Sequence, residues 1–189
     1  MHATRVILAA ALLVAAALPV RAADDILDAI DQGRKAYQAG DLSGARQQLD
    51  LASQLIGQKN AESFSTLLPA PLAGWQAEKA QTQAIGASLL GASAASRRYT
   101  NAKGDDVEVS ITGDSAMVMQ FGPMMANPAL AAAMGKLVRV GSLRGIQNQD
   151  GDVLLVVNNK FLINVTGSAD AASKLAYANA VDTAKLAKM

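Results

Sequence analysis

The sequence predicts an α+β protein in which an N-terminal helical hairpin precedes a mainly antiparallel sheet of five or six strands covered by helices on both faces. Three observations carry that expectation. Apolar residues recur at spacings of three and four between Asp24 and Asn60, the period that keeps side chains on one face of a helix. After Leu68-Pro69-Ala70-Pro71-Leu72 the period changes, and Val107, Val109 and Ile111 alternate with Glu108, Ser110 and Thr112 as in a strand with one buried face. Val153-Leu154-Leu155-Val156-Val157 is apolar on both faces, which is the composition of an interior strand covered above and below.

The chain opens on what reads as an export signal. Arg5 supplies a basic start, Val6 to Leu18 an unbroken apolar run, and Val20-Arg21-Ala22 a small-x-small processing site. That run is shorter than the roughly 20 residues a membrane span needs. The expectation is cleavage after Ala22, with residues 1–22 as a signal peptide and a periplasmic product that makes no stable membrane insertion. The chain has no cysteine, and its one histidine, His2, lies inside that signal. The fold therefore uses no disulfide, and the commonest general base, thiol nucleophile and zinc ligands are missing from the exported part.

The helical hairpin is expected over residues 23–66 and the α+β domain over 67–189. Ile26, Ile30, Gly33 and Tyr37 define one face of a first helix, and Leu42, Ala45, Leu49, Ala52 and Ile56 one face of a second. Gly40 ends the first in a left-handed conformation, and Asp41 or Ser43 caps the second. Gly33-Arg34-Lys35-Ala36-Tyr37-Gln38-Ala39-Gly40-Asp41, with Ala45, Leu49 and Ala52, resembles one tetratricopeptide unit over residues 26–57, about a fifth of the chain. The resemblance implies close-packed paired helices and a role in binding peptides or proteins. Such units stack to bury their faces, and no second copy is found, so this one docks on the following domain or on a partner. Tyr37 and Arg34 are its candidate partner contacts.

Beyond the prolines, Trp75 to Gln83 reads as a first strand, and Ala94 to Asn101 with Val107 to Thr112 as a hairpin around Ala102-Lys103-Gly104-Asp105. Lys136 to Ile146, Val153 to Val157 and Phe161 to Thr166 complete the sheet, joined by turns at Gln149-Asp150-Gly151 and Asn158-Asn159. Asn127-Pro128 opens a helix through Met134, and Ser168 or Asp170 caps a last one carrying Ala171, Leu175, Ala178, Val181 and Ala184. This order of elements resembles the PsbP/Mog1-like α/β/α sandwich, a likeness of architecture that transfers no activity.

Composition narrows the function classes. Removing Arg5 and Arg21 from 17 basic residues leaves 15 against 16 acidic, a near-neutral domain without the basic footprint of a nucleic-acid binder. Neither a Ser-x-x-Lys nor a Gly-x-Ser-x-Gly motif is present, no glycine loop cradles phosphate, and aromatics are only 4%, too few for a sugar cleft. The expectation is a non-catalytic protein with no cofactor. Five of the seven methionines gather between positions 117 and 134, and Met117, Met119, Met124 and Met125 form a candidate Cu(I) site, since thioethers are soft ligands; packing in the core is the plainer use. Asp105-Asp106 and Asp150-x-Asp152 offer carboxylates at turns, and Arg97, Arg98, Arg139 and Arg144 form an anion patch if their strands are neighbours. The leading function is a soluble periplasmic binding or accessory protein with an envelope protein as partner. The alternative is a small-ligand carrier for Cu(I) or an apolar molecule.

Overall fold

The computed structural model describes residues 24–84, 92–113, 118 and 127–189. Helices α1 (Asp25–Gln38) and α2 (Leu42–Ser65) form the expected antiparallel pair. The Asp24 carboxylate accepts the Ile26 N–H to open α1, and Gly40 at φ 81° ends it. Asp41, rather than Ser43, caps α2 by accepting the Gly44 N–H at 2.9 Å. Helix α2 runs past residue 57, where the tetratricopeptide-like unit ends, to Ser65, and its last turns lie on the sheet, where Phe64 enters the core.

Among the described residues the sheet has eight strands, not five or six. They are β1 (Trp75–Ala77), β2 (Gln81–Ala84), β3 (Ser93–Asn101), β4 (Asp106–Gly113), β5 (Lys136–Val140), β6 (Leu143–Gln147), β7 (Val153–Val157) and β8 (Phe161–Thr166). The count rises because two stretches expected as single strands are each broken. Residues 78–80 separate β1 from β2, both of which pair with β3. A turn at Gly141, with φ 58° and its N–H held by the Asn179 side chain, folds residues 136–147 into a β5–β6 hairpin. The order is β1-β3-β4-β8-β7-β6-β5, antiparallel throughout, with β2 continuing the β1 edge along β3. Asn158 and Asn159, at φ 50° and 53°, make the tight β7–β8 turn, where their short polar side chains tolerate the left-handed region.

Alternation decides what is buried. Val107, Val109 and Ile111 of β4, Leu155 and Val157 of β7, and Ile163 and Val165 of β8 face one side and are shut from water. Phe64, Leu67 and Leu68 at the end of α2, Tyr177 and Ala178 of α4 (Ala171–Ala180) and Leu186 of α5 (Thr183–Leu186) join them in one cluster. Gly113 is required there, since a Cβ would sit 2.7 Å from the Phe64 ring. The last helix is thus two, broken at Val181, whose extended backbone lets Asp182 cap the second. On the opposite face Leu154, Val156 and Leu162 are half-buried, so β7 is less covered there than its uniform apolar composition suggests. Helix α3 (Pro128–Met134), capped by Asn127 as expected, rests on β5 and β6.

One buried cation ties α4 to the sheet. Lys174 is 2% exposed, and its ammonium donates to Asp152 Oδ1 at 2.7 Å and to the Asp150 carbonyl at 2.8 Å. Removing one partner of a buried pair strands the other charge. Asp152→Ala is expected to destabilise the fold by on the order of 3 kcal/mol in urea unfolding. Lys174→Met is expected to cost less, because the Asp152 carboxylate it leaves behind reaches water, as the ammonium does not.

Candidate functional site

The helical hairpin carries most of the exposed large apolar side chains among the described residues, and the way it is rooted explains its form. Between α2 and β1 the chain crosses the sheet at Pro69, whose buried carbonyl accepts the Tyr99 hydroxyl at 2.7 Å and an Arg97 guanidinium N–H at 3.3 Å. Three residues on, the Leu72 N–H donates to the Tyr177 hydroxyl oxygen. The rings of Tyr99 and Tyr177 lie 4.4 Å apart, and Trp75 meets Tyr177 edge-on at 5.4 Å. Burial pushes the Tyr99 hydroxyl up to about 12 and Tyr177 upward as well, although the Leu72 hydrogen bond works against the second shift. The root of the hairpin is therefore fixed, and among the described elements every substantial contact of α1 is made with α2.

Small residues occupy the seam between the helices. Ala29 and Gly33 of α1 and Ala45 and Ala52 of α2 are buried, and a Cβ on Gly33 would lie 3.3–3.4 Å from Leu49, Ala45 and Gln48. Such a close approach pushes the large side chains out. Tyr37 is 67% exposed, Leu42 66% and Leu49 53%, with Ile30 and Ile56 exposed beside them. Tyr37 follows Ile30 by seven residues, and Leu42, Leu49 and Ile56 repeat at seven, so each set holds one face and both lie on the same flank of the hairpin. On the other flank Ala29, Gln32, Gln48, Leu51 and Leu55 line an open groove of about 430 Å³ with Asp25 and Asp28 at its rim.

Most charges follow the axis of this arm. Arg34, Lys35 and Arg46 lie toward its tip and Asp24, Asp25, Asp28, Asp31 and Asp50 toward its root, with Asp41 in the tip turn and Lys59 near the root as the exceptions. Arg34 pairs with Asp31 at 3.1 Å and Arg46 with Asp50 at 3.9 Å, exposed pairs that contribute little to stability. Both predicted partner-contact residues, Tyr37 and Arg34, are thus exposed on this arm. The sequence places the exposed leucines and isoleucines beside them on one face of each helix, since periodicity marks an apolar face without saying what covers it.

The remaining predicted groups are dispersed. Met117, Met119, Met124 and Met125 lie outside the described residues, and Met134 is half-buried at the end of α3. The four arginines form no single patch: Arg97 and Arg98 are on β3, with Arg97 turned to Pro69 and Arg98 paired to Glu108 at 2.9 Å, whereas Arg139 and Arg144 oppose each other on β5 and β6 at the far end of the sheet. Turn carboxylates serve the backbone and its neighbours. Asp105 accepts from Asn101, and Asp106 accepts the Ser168 hydroxyl at 2.6 Å, a bond that holds its pKa below the usual carboxylate value. Ser168 is therefore taken by Asp106, and Asp170 caps α4 instead. Among the described residues no group of three or more His, Cys, Asp or Glu side chains is placed to hold a metal ion, and no helix among them is long and apolar enough to cross a membrane.

No protein-family model, curated protein or solved structure matches the chain.

Two outcomes test this geometry. Gly33→Leu has no room in the seam, and overpacking of this kind costs about 1–3 kcal/mol; amide exchange is expected to accelerate in α1 and the first half of α2 while the sheet stays protected. Tyr99 keeps its proton in the fold to a higher pH than in the unfolded chain, so the unfolded state loses protons first. Stability should therefore fall as pH rises from about 10 to 12, by up to about 1.4 kcal/mol per pH unit, and Tyr99→Phe should flatten that slope in unfolding curves.

Proposed function

We propose that this is a non-catalytic periplasmic binding or accessory protein that works through protein–protein contacts made by its helical arm, with another envelope protein as partner. The observation that carries this reading is α1, a helix whose substantial contacts among the described elements are all with α2 and beside which large apolar side chains meet water. Leaving a leucine- or tyrosine-sized side chain exposed forgoes about 1.5–3 kcal/mol of burial per residue, so a run of them on one arm is accounted for by an assembly that covers it. The groove on the opposite flank adds an apolar floor of Ala29, Leu51 and Leu55 under the acidic rim of Asp25 and Asp28. That combination suits a helical segment with apolar anchors and basic flanks.

Chemistry weighs against an enzyme. Outside His2 the chain has neither histidine nor cysteine. Two of the turn carboxylates, Asp106 and Asp152, are bound to Ser168 and Lys174, which leaves neither in place as a free general base.

A photo-crosslinking side chain at Leu51, introduced in cells, is expected to capture one discrete envelope polypeptide, and Asp25→Lys with Asp28→Lys to weaken that capture at least tenfold. Absence of any adduct to a second polypeptide from Leu51, Gln48 and Tyr37 alike would overturn the reading.

A further inference from the structure

We infer that the flank bearing Ile30, Tyr37, Leu42, Leu49 and Ile56 pairs with the same flank of a second copy of this chain, the two arms running antiparallel about a two-fold axis. The inference rests on the reading of the arm as a protein-contact element and names the occupant of one flank. The groove on the other flank stays free for a different polypeptide.

Three observations select a second copy in this orientation. Leu42, Leu49 and Ile56 repeat every seven residues on α2, the spacing with which one helix meets another along a continuous seam. In an antiparallel pair Leu49 falls near the axis against its counterpart, and Leu42 of each copy meets Ile56 of the other. These exposed side chains amount to on the order of 500 Å² per chain, so pairing buries about 1,000 Å² before the rims are added, the lower limit for a specific interface.

Charge then fixes the direction. The approach of Gly33 to Ala45, Gln48 and Leu49 shows that this point of α1 is level with the middle of that α2 segment. An axis at that height passes between Asp31 and Arg34 on α1 and also between Arg46 and Asp50 on α2. One rotation therefore sets Arg34 toward Asp31, and Arg46 toward Asp50, of the second copy on both helices at once. In a parallel pair the same residues would face their own kind, which is unfavourable. Because both helices carry the basic member toward the tip, the arm is self-complementary in the manner an isologous contact requires.

The purified protein is expected to sediment at twice its denatured mass at micromolar concentration, and Leu49→Arg to sediment as a single chain with unchanged far-ultraviolet circular dichroism. The native chain lacks cysteine, so engineered thiols report geometry. Oxidation of Leu49→Cys should link two chains, Leu42→Cys alone should not, and Leu42→Cys with Ile56→Cys in one chain should. Arg34→Glu with Arg46→Glu should weaken pairing at least tenfold, and adding Asp31→Arg and Asp50→Arg should restore it. A single-chain mass at 100 µM, a dimer indifferent to Leu49→Arg, or ready self-linkage of Leu42→Cys would each overturn the inference. A single-chain protein that still yields the Leu51 adduct would sink self-pairing alone and leave the proposed function standing.

Discussion

The arrangement of this protein depends on one buried carbonyl. Pro69 has no N–H of its own to satisfy, but its oxygen lies inside the fold, where an unpaired acceptor is costly. Tyr99 and Arg97 reach it from the same face of β3, two residues apart, as the pleat of a strand allows. That contact holds the linker against the sheet, brings Leu67 and Leu68 into the core and orients the last turns of α2 over β2 and β3. The direction in which the arm leaves the sheet follows from it. The stacked tyrosines stiffen the same junction, so the arm is a projection with a rigid root.

Burial and exposure are divided between the two ends of α2. Toward its C-terminus the helix buries Ala61 and Phe64, and Phe64 meets Phe161 edge-on at 5.6 Å. Toward its N-terminus it buries only alanines in the seam with α1, while Leu49 touches Gly33 from the edge of that seam and stays 53% exposed. A seam of glycine and alanine brings two helices close but gains little apolar burial, because its side chains are small. The hairpin thus has less to stabilise it than the sheet has, and covering its flank would add what the seam lacks. The proposed self-association and the integrity of the arm are coupled for that reason.

Many groups that resemble reactive chemistry in the sequence are consumed by architecture. Asp106 and Ser168 join the start of β4 to the segment before α4, Asp152 neutralises the buried Lys174, and Asn101 organises the turn that Asp105 closes. Each pairing joins residues that sequence spacing alone does not relate: 62 positions separate Asp106 from Ser168 and 22 separate Asp152 from Lys174. Carboxylates at turns satisfy nearby donors before they are available to anything else.

Local physics decided what was legible in the sequence. Helix caps at Asp41, Asn127 and Asp170, the Gly40 stop, the alternation in β4 and the paired asparagines between β7 and β8 act over a few residues, and the structure contains all of them. The breaks at residues 78–80 and at Gly141 were not legible, since the side chain that holds the Gly141 N–H, Asn179, comes from a helix 38 positions away. The same holds for the arm. Periodicity placed Tyr37, Leu42 and Leu49 on apolar faces, as a sequence can, because helical spacing is a property of the chain itself. Whether such a face is buried or open depends on what the rest of the fold brings against it, and here the tertiary structure set alanines into the seam and left the large side chains in water.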